Sequence, residues 1–70
     1  MKAIVLKTST YRRVNTRLRR YGFSKNFHFF ICRVSHDSAD TYLYFASFSD
    51  LTMVSAYLSA CNAVYRVAEI

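Results

Sequence analysis

Between two lysines, Lys2 and Lys7, the chain opens with four aliphatic residues, Ala3-Ile4-Val5-Leu6. So short a run, rich in aliphatic and β-branched residues, predicts a first strand. Thr8-Ser9-Thr10 supplies three candidate helix N-caps. Apolar residues then fall at Tyr11, Val14, Leu18 and Tyr21, the spacing of one helical stripe, and Gly22 follows where a left-handed residue would close the helix. Phe23 to Asn26 reads as a connection, and the aromatic and branched run Phe27 to Ser35 as a second strand. His36-Asp37-Ser38-Ala39-Asp40 is polar enough for a hairpin loop before a third strand, Thr41 to Phe48. Ser49-Asp50 offers a cap and a first-turn acid for a second long helix. That helix carries Leu51, Val54, Leu58 and Cys61, widened by Met53 and Tyr57, and ends at Asn62 or Ala63. A last strand runs from Val64 to Ile70.

The two helical stripes repeat at an offset of 40, Tyr11/Val14/Leu18/Tyr21 against Leu51/Val54/Leu58/Cys61. Order and offset together predict an α+β ferredoxin-like βαββαβ sandwich, a single domain over residues 1–70. Its four-stranded antiparallel sheet carries two helices on one face. Right-handed crossovers then make the first and third strands central.

Alternation assigns side chains to the two sheet faces. If Phe48 faces the core because it leads into the second helix, Tyr42, Tyr44 and Ala46 face it too. Leu43, Phe45 and Ser47 then point away. The same offset places Ile4 and Leu6 inside and Ala3, Val5 and Lys7 outside. In the second strand Phe30, Cys32 and Val34 turn inward and Phe29, Ile31 and Arg33 outward, though a bulge would exchange the two sets. Val5, Phe29, Ile31, Leu43 and Phe45 would thus form an exposed apolar patch, here the expected protein-interaction face. A patch of ~500 Å² at ~25 cal/mol per Å² represents on the order of 12 kcal/mol of unfavourable hydration. A cover is therefore expected: a second copy in a homodimer, another protein partner, or stacked nucleobases.

Charge changes the picture on the helix side. The chain has 70 residues, 10 Lys and Arg against 4 Asp and Glu, and a net charge of +6. Every cation except Arg66 lies before position 36, where there is no acid. Arg12, Arg13, Arg17, Arg19 and Arg20 cover the polar surface of the first helix, with no acid at i±4 to neutralise them. Arginine favours bidentate contact with phosphate or carboxylate, so nucleic acid or an acidic protein surface is the expected partner. Arg12 and Arg13, read as first-turn residues, would also oppose the helix dipole. The second helix presents only Thr52, Ser55, Ala56, Ser59 and Asn62 outward, all small and uncharged.

Catalytic chemistry has no foothold in this pattern, so a non-enzyme without cofactor or metal is expected. His28 falls in the predicted second strand and His36 in the hairpin loop, and neither sits in a dyad-like pattern. Asp37 and Asp40 alone make a poor site for a hard cation. Cys32 and Cys61 fall on predicted core stripes as small hydrophobes. With one glycine, no phosphate-cradling loop can be built. Nothing approaches the ~18 apolar residues of a membrane span, and Ala3–Leu6 is too short for a secretory signal, so a cytoplasmic protein is expected.

The element order is similar to that of RNA-recognition motifs, whose two central strands carry open-face aromatics. In Tyr42-Leu43-Tyr44-Phe45-Ala46-Ser47-Phe48 only Phe45 takes a stacking position on the assignment above. The leading basic residue and both glycines of that motif are missing. Acylphosphatases share the order too, but Lys7-Thr8-Ser9-Thr10 lacks their glycine-rich loop. In size the chain resembles small phage-encoded inhibitors of host machinery, anti-CRISPR proteins among them. Two functions are therefore expected: a basic nucleic-acid-binding protein, or a viral or mobile-element inhibitor that blocks a nucleic-acid-processing protein directly.

Overall fold

A computed structural model describes residues 2–69. Seven elements follow in order: β1 (Lys2–Lys7), α1 (Thr8–Arg20), α2 (Ser24–Phe29), β2 (Arg33–His36), β3 (Asp40–Tyr44), α3 (Phe48–Ala60) and β4 (Arg66–Glu69). The sheet is antiparallel in the order β2-β3-β1-β4, so β1 and β3 are central. This is the ferredoxin-like arrangement with one short helix added.

The two long helices are a matched pair. Each has 13 residues, starts 40 positions apart, and buries the same three stripe positions: Tyr11, Val14 and Leu18 in α1, and Leu51, Val54 and Leu58 in α3. Both end in the same hydrogen-bonded cap. Gly22 N–H donates to Arg19 O and Phe23 N–H to Leu18 O. Asn62 N–H donates to Ser59 O and Ala63 N–H to Leu58 O. The motif needs a left-handed residue, supplied by Gly22 at φ +80° and Asn62 at φ +55°. Only the fourth stripe position differs, since Cys61 is buried whereas Tyr21 is 62% exposed.

The starts of these helices differ from expectation. Lys7, the last residue of β1, is itself the N-cap of α1 and makes no side-chain cap. Thr8 instead turns its hydroxyl to Thr41 Oγ1 at 3.0 Å. In α3 the cap is Ser47, two residues before the expected Ser49, and its Oγ accepts from Asp50 N–H at 3.2 Å. Because α1 starts at Thr8, Arg12 and Arg13 lie beyond its first turn and escape the dipole penalty expected there.

That asymmetry reverses the face assignment of the third strand. β1 runs straight into α1, but Phe45-Ala46-Ser47 separates β3 from α3. The alternation of β3 therefore cannot be extended to Phe48, which is 67% exposed with the Lys2 ammonium 5.3 Å from its ring centroid. Leu43 pairs with Ile4 and faces the helices. Leu43 and Phe45, expected on the open face, are core residues at 0% and 4% exposure. Tyr42 and Tyr44, expected inside, pair with Val5 and Ala3 on the open face. Ile4 and Leu6 are inside as expected.

The second strand is shorter than its apolar run. Phe27 N–H donates to Phe23 O at 3.0 Å, and Ser24 to Phe29 form α2, which packs against both α1 and α3. An apolar run of this length suits a buried helical turn as well as a strand, and here the turn seals the core with Phe27. Phe29, expected on the open sheet face, is on α2 and 81% exposed; Ile31, expected beside it, packs on the core with Phe30 and Val34. Cys32, expected inside, is exposed, and His36 ends β2 instead of lying in the loop. β4 covers Arg66–Glu69, so Val64 and Tyr65 precede it and Ile70 lies outside the described residues.

Candidate nucleic-acid interface

Burial of Tyr11, Val14 and Leu18 turns the remaining surface of α1 outward. At 100° per residue, Arg12, Arg13, Arg17, Arg19 and Arg20 then span an arc of about 160°. All five are exposed, and among the described residues none has an ion-pair partner. Arg12 and Arg19 form one flank of the arc. Arg13, Arg17 and Arg20 form the other, where they line an open groove of about 400 Å³ with Thr16 and Tyr21. The exposed Tyr21 ring thus ends the groove. Arg17, Arg19 and Arg20 occupy the last turn of α1, where the dipole favours cations. The helix dipole therefore does not oppose this charge, and the opposition that remains is the mutual repulsion of Arg13, Arg17 and Arg20 at i,i+4 and i,i+3.

The expected sheet-face set does not come together. Val5 alone keeps its side of the sheet, where it is buried between Tyr42 and Arg66. Directly paired residues share a face, so the open side consists of two rows across the strands. Arg33, Tyr44, Ala3 and Ala68 form one; Ser35, Tyr42, Val5 and Arg66 form the other. Both tyrosines are half-buried and both arginines exposed. The Arg33 guanidinium lies 4.5 Å from the Tyr44 ring centroid, within cation–π range. This face is aromatic and basic instead of aliphatic. The signal for it was Ser47, the N-cap of α3: with a good cap there, Phe48 belongs to the helix and cannot set the facing of β3.

A group of exposed apolar side chains lies on the helix side. Phe29, Phe30, Met53 and Tyr57 line a groove of about 390 Å³ with Lys25 and Asn26.

Both histidines are tied into the fold around Tyr11. His28 Nδ1–H donates to the Ser24 carbonyl at 2.8 Å, which leaves Nε2, in the neutral ring, to accept from the Tyr11 hydroxyl at 3.3 Å. His36 Nδ1 is 2.9 Å from Thr41 Oγ1, and its ring lies tilted against Tyr11, 5.5 Å between centroids. Each ring thus has a structural partner. Asp37 accepts from Ser38 N–H through its carboxylate, and its own N–H donates to Asp40 O at 2.8 Å, closing the hairpin turn. Among the described residues no cluster of three or more His, Cys, Asp or Glu could hold a metal, and no helix is long and apolar enough to cross a membrane.

Compared with known proteins, the chain matches no family model, no curated protein and no solved structure.

Proposed function

We propose that the protein is a non-catalytic binding module whose arginine surface on α1 contacts the phosphates of nucleic acid, free or within a nucleic-acid-handling complex. One observation carries this reading: five exposed guanidinium groups share one helix surface with no acidic partner among the described residues. Phosphates suit the forked geometry of arginine, and displaced counterions make such binding salt-dependent. If all five engage, log K falls against log salt with a slope of about −4.5 on duplex and about −3.5 on single strands. Arg13→Glu with Arg17→Glu removes duplex binding while the far-UV spectrum is unchanged. A flat salt response in the wild-type protein rejects the reading.

A second reading, a viral or mobile-element inhibitor that docks on a nucleic-acid-processing protein, is favoured by the α2–α3 groove, where Phe29 is 81% exposed. Exposed aromatic side chains of this kind anchor protein interfaces. Under that reading the protein shifts neither single- nor double-stranded probes in a gel.

A further inference from the structure

We propose that the open face of the sheet is a second binding surface, a stacking platform for single-stranded nucleic acid built on Tyr42 and Tyr44. This rests on the nucleic-acid reading above and names the ligand form that a second surface would select. The two tyrosines are adjacent same-face positions of β3, a central strand, and so stand about 7 Å apart. Of their direct row neighbours, Ala3 beside Tyr44 and Ser35 beside Tyr42 are small, leaving room for planar groups there, while Arg33 lies over Tyr44 and Val5 is paired with Tyr42. Lys7 stands at one end of the face with Asp40 opposite it in register, so that end is close to neutral. Arg33 on β2 and Arg66 on β4 bracket the tyrosines from the two edges of the sheet, on the same face. The row positions of both tyrosines are therefore flanked by groups that attract phosphate.

Single strands suit this arrangement better than duplexes. Unstacked bases present π faces to aromatic rings, and flanking cations follow the backbone. A duplex has its base faces stacked internally and would meet only the two edge arginines. Arg33 over Tyr44 is compatible with a bound base, because a guanidinium plane itself stacks on nucleobases. The α1 arginines lie on the opposite side of the sheet, over the face that carries Ile4 and Leu6. The two surfaces can therefore be separated by mutation.

The test measures fluorescence anisotropy of a labelled oligothymidylate and of a duplex of equal length, with the full chain. Tyr42→Leu and Tyr44→Leu keep an apolar side chain on the face but remove the ring. Each is expected to weaken oligothymidylate binding about 5- to 100-fold, with duplex affinity within twofold of wild type. Tyr42→Phe and Tyr44→Phe, which keep the ring, are expected to stay within threefold on both probes. Arg13→Glu with Arg17→Glu should do the reverse of the leucine variants and abolish duplex binding first. The stacking proposal is overturned if the leucine variants bind oligothymidylate like wild type. It is overturned equally if they lose both probes together, or if sedimentation shows a wild-type dimer that the leucine variants convert to monomer. Salt-dependent duplex binding by the wild-type protein leaves the α1 reading standing in each of these cases; loss of all nucleic-acid binding in the wild-type protein removes both.

Discussion

Phe27 and Phe29 sit two residues apart on α2, and the fold treats them oppositely. Phe27 is 0% exposed and the only buried residue of its helix, with ring centroids 5.2 Å from His28 and 6.0 Å from Tyr57, both edge-to-face. Phe27→Ala removes a fully buried ring and leaves a cavity between α1 and α3, which costs about 3–5 kcal/mol. A chain of this length has ~4–10 kcal/mol of total stability, so the loss would take from roughly a third to all of it. At ~4–8 °C per kcal/mol, the melting temperature should fall by at least about 12 °C. Phe29→Ala, by contrast, should stay within about 0.5 kcal/mol of wild type. Urea titrations followed by far-UV circular dichroism measure both. Should Phe27→Ala cost less than about 1 kcal/mol, or no more than Phe29→Ala, α2 is not part of the core.

The remaining expectations concern the caps, the buried hydroxyl and the thiols. A Cβ on Gly22 would meet nothing within 4 Å, so Gly22→Ala should destabilise by about 1 kcal/mol through its left-handed backbone alone. Asn62→Gly at the equivalent cap should be neutral or slightly stabilising, both read from urea midpoints. Thr41 is fully buried and its Oγ1 meets both Thr8 and His36; Thr41→Val should therefore cost about 1–2 kcal/mol at equal volume, and an unchanged midpoint would deny the network any weight. Cys32 is exposed and Cys61 buried, so a colourimetric thiol reagent should titrate one thiol in the native protein and two after denaturation.

Much of the architecture was legible because helical periodicity is long and redundant. The stripes at 11/14/18 and 51/54/58 each bury three residues, and the identical offset extends to caps that only the structure reveals. Strand faces were harder. Period two carries a single bit of phase, and one wrong anchor, Phe48, inverted the whole of β3. The run Phe27 to Ile31 failed for a different reason, since five bulky residues fit a helical turn or a strand and only packing decides between them. The arginines of α1 were visible as a pattern of charge. Tyr42 and Tyr44 were hidden by the same phase error, so an aromatic, basic surface was mistaken for an oily one.

The strand order β2-β3-β1-β4 has a consequence for how the chain comes together. β1 lies between two strands from the second half, and β3 lies between β1 and β2, both from the first. Neither half contains a ladder of its own. A nick in the hairpin near Ser38 would thus yield two fragments, each holding one long helix and unmated strands, which acquire structure by recombining. Folding of the intact chain is correspondingly indivisible, with no half able to serve as a stable scaffold for the other.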